Sequence, residues 1–169
     1  MREAGLPPLL DGGGQEAGLR SGTENVPGIV GLAVAVERRA SGLDGAIAHM
    51  RHLRERFEAL MLEAVPEVAI NGARAPRVVN TSNLCFSGVD GQALVARLDQ
   101  RGVLCSQASA CSSHRPEPSP VLAAMGLSEQ EAFASVRFSF SVLNVEREVD
   151  QTVNAIREVV GQLRAFMLV

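Results

Sequence analysis

The chain has 169 residues, 46% of them hydrophobic, and a formal net charge of −3. It is long and apolar enough to bury a core, and too acidic to make nucleic acid or an anionic membrane its main partner. No apolar run approaches the roughly 20 residues of a membrane span, and the opening Met1-Arg2-Glu3-Ala4 lacks a signal-peptide core. Three cysteines without an export signal point to a reducing cytoplasm. All 16 basic residues are arginine, so no side-chain amine here can form an imine with a carbonyl.

In chain order, residues 1–24 read as extended and turn-rich, with Pro7-Pro8, Gly12-Gly13-Gly14 and Arg20-Ser21-Gly22-Thr23. Such a segment has little to build a core from and is expected to dock onto another surface. From Asn25 the pattern turns helical, Val26, Ile29, Val30, Ala33 and Val34 giving an apolar face. After a break at Ser41-Gly42, a second helix repeats Ile47, Met50, Leu53, Phe57, Leu60 and Met61 at three- and four-residue steps. Its charges, Arg51, Arg54, Glu55, Arg56 and Glu58, are assigned mostly to the opposite, solvated face.

Strand patterning follows at residues 67–70 and over 77–86. Asp90 is read as the cap of a helix closed by Gly102, and residues 103–106 as a strand delivering the chain into a loop. A short helix is expected over 121–125, a capping box at Ser128-Glu129-Gln130-Glu131, and a strand over 136–141. Asn144 is expected to cap a long final helix carrying Val149, Val153, Ile156, Val159 and Val160. Strands separated by helices imply an α/β fold, one small sheet covered by helices.

Three segments carry candidate chemistry. Cys111 lies in Ser109-Ala110-Cys111-Ser112-Ser113, followed by Pro116, Pro118 and Pro120, which excludes a helix interior or a central strand. The thiol is thus presented on a loop, as a nucleophile would be, and His114 and Arg115 lie near enough in sequence to favour its thiolate. Arg137 sits in a strand on the face opposite Val136 and Phe138. There a guanidinium is either a solvated edge group or a rigid fork for a carboxylate. Ser21-Gly22-Thr23 ahead of a helix suits a phosphate contact. Competing cysteine chemistries fit poorly. Glu117 stands where a phosphatase loop needs arginine, Cys105, Cys111 and His114 lack the paired spacing of a zinc site, and no Cys-x-x-Cys occurs. No resident metal is expected.

Taken together, Gly18-Leu19-Arg20-Ser21-Gly22-Thr23-Glu24-Asn25-Val26-Pro27-Gly28, Ser109-Ala110-Cys111-Ser112-Ser113 and Ser135-Val136-Arg137-Phe138-Ser139 resemble the pyridoxal-phosphate-dependent cysteine desulfurases of the class V aminotransferases. The resemblance is collinear over almost the whole chain. It implies that residues 1–42 are the tail of the large cofactor-binding domain, with a dimer-crossing loop and a linking helix, and that 43–169 are the small C-terminal domain of a fold-type I transferase. It further implies that Cys111 takes sulfur from L-cysteine as a persulfide, leaving L-alanine, for an iron–sulfur scaffold or a tRNA-thiolation carrier. On the same basis Arg137 clamps the substrate carboxylate, and Thr23 reaches the cofactor phosphate across a homodimer. The family's cofactor-binding lysine would lie upstream, so the chain alone is expected to be inactive; a non-catalytic sulfur carrier or dimerisation module is the alternative. The chain departs from the family pattern at Phe140-Ser141, where a Leu-Gly-Arg-like turn is usual, and at His114-Arg115-Pro116.

Overall fold

A computed structural model describes residue 5, residues 7–107 and residues 117–166. They divide into two compact units, Met1–Leu43 and Asp44–Val169.

In the first unit a glycine-rich loop is closed by short backbone contacts. Leu9 N–H donates to Leu19 C=O at 2.7 Å, Ser21 N–H to Leu10 C=O at 3.2 Å, and Ser21 Oγ–H to Gly13 C=O at 2.8 Å. Gly12 is required here, since a Cβ would lie 2.9 Å from that of Ser21. Asn25 then caps α1 (Val26–Ser41), its Oδ1 accepting from Gly28 N–H at 3.1 Å. The expected apolar residues are present on α1, yet none is buried; Ile29, Val30 and Leu32 are all more than half exposed.

The second unit is the α/β assembly that the strand and helix alternation implies. Four strands, β1 (Val68–Ile70), β2 (Thr81–Phe86), β3 (Ser106–Gln107) and β4 (Ser135–Ser139), form an antiparallel sheet in the order β1-β2-β4-β3. The remaining helices are α2 (Leu43–Ala64), α3 (Gly91–Asp99), α4 (Pro120–Ala124), α5 (Glu129–Phe133) and α6 (Glu146–Phe166). Leu84, Phe86, Val136 and Phe138 form the apolar face of the sheet, packed with Leu53 and Phe57 of α2, Leu94 and Leu98 of α3, and Ile156 and Val160 of α6. Phe57 anchors this core, its ring centroid 5.0 Å from Phe138 and 5.5 Å from Phe140. On the opposite face α5 lies over one end of the sheet, where the Glu131 carbonyl accepts from the Ser135 hydroxyl at 2.7 Å and the Cys85 thiol at 3.5 Å.

Several sequence assignments need correction. Arg54 and Glu58 are buried, not solvated. Glu58 accepts two hydrogen bonds from Arg77, at 2.7 and 3.0 Å, and one from Ser82 at 2.8 Å, while Arg54 donates to Val78 C=O at 2.9 Å. These bonds take up residues 77 and 78, so β2 begins only at Thr81. The strand expected from Val103 is likewise shortened. Val103 N–H bonds Leu98 C=O and Gly102 N–H bonds Asp99 C=O, a Schellman closure of α3 with Gly102 at φ +76°. Asp90 does cap α3, accepting from Ala93 N–H at 2.8 Å, and the Ser128 capping box is complete. Asn144 does not cap α6. Its Oδ1 accepts from Ser141 N–H, and Glu148 instead accepts the N–H of Val145.

Candidate functional site

Alternation along β4 decides where Arg137 goes. Val136 and Phe138 enter the core, so Arg137 between them stands on the other face, exposed. It is held there by pairing on both sides, opposite Asn83 of β2 and Ser106 of β3. Residues directly opposite in an antiparallel pair have Cβ atoms about 5 Å apart. The three form a polar row across the sheet on its open face. Among the described residues no carboxylate pairs with Arg137. A guanidinium carried on a strand paired on both sides, with no counter-ion among the described residues, is suited to a bidentate anion such as a carboxylate.

Beside this row lies a hydrogen-bonded patch that sequence reading did not single out. Asn71, in the turn after β1, donates through Nδ2 to Asn83 Oδ1 at 2.6 Å and to Ser135 Oγ at 2.9 Å. Its backbone N–H also bonds Asn83 C=O at 2.9 Å. Position was the available signal, since Asn83 occupies a polar place in a strand between the inward Ser82 and Leu84.

Thr23 belongs to the first unit, exposed in the segment between the glycine-rich loop and the Asn25 cap. Arg137 belongs to the second. Cys111, together with His114 and Arg115, lies outside the described residues. Among the described residues, Arg137 is the predicted site residue with a built setting. The other two thiols are described. Cys85 is buried in β2, and burial raises its pKa. Cys105 is half-buried ahead of β3, its pKa pushed up to about 11 by burial and then by the Asp99 charge. Neither is a thiolate at neutral pH. A cavity of about 420 Å³ lies between Phe138, Phe140, Val103 and the α6 residues Val149 and Thr152; Arg137 does not line it.

The sequence pattern described as aminotransferase class-V matches residues 7–152. The chain belongs to the class V aminotransferase family. Among its family relatives, a protein named cysteine desulfurase from Nostoc sp. (strain PCC 7120) is 42% identical over 159 residues, covering 94% of this chain and 40% of the relative. A protein named cysteine desulfurase IscS from Rickettsia akari is 41% identical over 159 residues, covering 94% of this chain and 38% of the relative. The X-ray structure of a NifS-like protein from Rickettsia africae superimposes with a TM-score of 0.76 at 31% identity, covering 92% of this chain and 40% of that one. This class V chain thus spans about two fifths of the length of the curated relatives it matches. Its α/β fold, the small antiparallel sheet with its helices, is the one expected from the family resemblance.

Proposed function

We propose that this chain is the C-terminal part of a pyridoxal 5'-phosphate-dependent cysteine desulfurase, supplying the substrate-gripping arginine and the sulfur-accepting thiol. The observation that carries this reading is Arg137, unpaired among the described residues and held on a polar sheet face, in a chain 42% identical to proteins named cysteine desulfurases. Arg137 binds the carboxylate of L-cysteine and fixes the direction in which the rest of the molecule extends. Cys111 then accepts the sulfur. Its thiolate forms a sulfur–sulfur bond as the substrate carbon–sulfur bond breaks, the substrate carbon takes a proton, and L-alanine leaves a persulfide behind. Atoms balance, since L-cysteine plus a thiol equals L-alanine plus a persulfide. Assignment of this role to Cys111 is supported by the protonated state of the other two thiols.

The cofactor's own fit to this chain is partial. The exposed Thr23 hydroxyl suits a contact to its phosphate across a homodimer, but a chain without lysine cannot hold it covalently. When bound elsewhere in the assembly, the cofactor supplies the electron sink for carbon–sulfur cleavage. Residues 1–42 then belong to the large domain and 43–169 to the small one. The persulfide sulfur passes to an iron–sulfur scaffold or a tRNA-thiolation carrier in the cytoplasm.

The test is to combine the purified chain with a separately expressed N-terminal portion of a relative, add cofactor and L-cysteine, and assay L-alanine and sulfide. Activity is expected only in the mixture and is expected to vanish with Cys111→Ser. Persulfide transfer by the chain with no cofactor present would favour a sulfur-carrier module instead.

A further inference from the structure

Proton accounting on the open face of the sheet fixes which way Asn83 points. The Ser135 hydroxyl has one proton and gives it to Glu131 C=O, an oxygen that can only accept. Ser135 Oγ must therefore accept from Asn71, so Asn71 presents its NH2 group. That same NH2 lies 2.6 Å from the Asn83 side chain, which must answer with its carbonyl oxygen, because the reverse would set donor against donor. The Asn83 amide nitrogen is thereby turned away from the patch. Among the described residues it has no acceptor, and it is not among the atoms buried without a partner. Its cross-strand neighbour is Arg137, which carries only donors.

Two adjacent groups that can only donate, on paired strands, with no acceptor among the described residues, leave a place for an anion. We propose that Asn83 is a second anion-binding residue, its amide donating to the same carboxylate that Arg137 grips. This deepens the reading of Arg137 and rests on it. Asn71 and Ser135 act at one remove, as positioning residues that hold the amide in its donating orientation. Ser106, on the other flank of Arg137, already gives its proton to Gln107 C=O at 3.1 Å and so adds no donor.

The test is a titration of the full chain, labelled with 15N, using L-alanine as the carboxylate probe and L-alaninamide as the probe without a carboxylate. The Asn83 side-chain amide and the Arg137 Nε–H resonances are expected to move together, at one midpoint, with L-alanine only. Asn83→Ala is expected to weaken L-alanine binding about fivefold or more, and Arg137→Ala to abolish it. Asn71→Ala, which lies outside the row, is expected to cause an intermediate loss. Asn83→Asp keeps the acceptor that Asn71 needs but places a carboxylate against Arg137, so it is expected to abolish binding in a folded chain. If Arg137 responds to L-alanine while Asn83→Ala or Asn83→Asp binds as the native chain does, the proposal for Asn83 is overturned and the reading of Arg137 stands. If neither resonance responds, both fall.

Discussion

At Arg137 the distinction between charge and shape becomes measurable. A guanidinium presents a planar pair of donors that lysine cannot copy, although lysine keeps the charge. In an assembled, active enzyme, Arg137→Lys is expected to raise KM for L-cysteine about tenfold with little change in kcat, and Arg137→Ala to raise it about a hundredfold. Steady-state kinetics of both variants check this; equal effects would mean that charge alone matters. The thiols make a second case. Cys105 has its pKa raised to about 11, so its thiolate, the reactive form, is scarce at neutral pH and grows about tenfold per pH unit towards that value. In a Cys111→Ser chain, alkylation by iodoacetamide at Cys105 is expected to be slow near neutrality and to accelerate steadily up to about pH 11, read by peptide mass spectrometry. Rapid labelling of Cys105 at neutral pH would show that burial does not protect it.

At the level of the element, the Arg54–Glu58–Arg77–Ser82 cluster ties α2 to the segment before β2. Removal of Glu58 leaves two arginines facing each other in a largely dry place, and Glu58→Ala is expected to cost about 3 kcal/mol in denaturant unfolding. Glu58→Gln, which keeps an acceptor for Ser82, is expected to cost less. Burial alone would raise the Glu58 pKa, but hydrogen bonds from Arg77 and Ser82 and the fields of Arg77 and Arg54 outweigh it and leave it lowered. A carboxylate with a lowered folded pKa stabilises the fold above its unfolded value, and that stability is lost as pH falls through the folded value. The native chain is therefore expected to lose stability on acidification below the ordinary glutamate range, and Glu58→Gln to lose less over the same interval. Helical periodicity concealed this cluster, because α2 is amphipathic and Glu58 looks solvated until Arg77 arrives from a distant segment. Caps and alternation were more legible. Asp90, the Ser128 box and the inward pair Val136 and Phe138 are local patterns, and local physics decides them. Asn144 misled because two neighbouring turns compete for one side chain, and the preceding turn won.

At the scale of the molecule, α1 carries a run of exposed apolar side chains, Val26, Ile29, Val30 and Leu32 each being more than half exposed. Exposed apolar side chains in such number promote association in water. Ile29→Gln with Leu32→Gln is expected to reduce concentration-dependent association of the isolated chain in sedimentation, while leaving the thermal unfolding midpoint of the second unit unchanged. The family was legible from motifs spread over the sequence, and the fold followed from it. The setting expected for Cys111 lies outside the described residues.

The central claim is that L-cysteine, held through its carboxylate, gives its sulfur to Cys111. Intact-mass spectrometry of the chain after one turnover with a cofactor-bearing N-terminal portion tests it most directly. The chain is expected to gain the mass of one sulfur atom on Cys111, with one L-alanine formed for each sulfur gained, and to gain none after Cys111→Ser. Sulfur carried on Cys85 or Cys105 instead, or L-alanine formed undiminished by the Cys111→Ser variant, would contradict it.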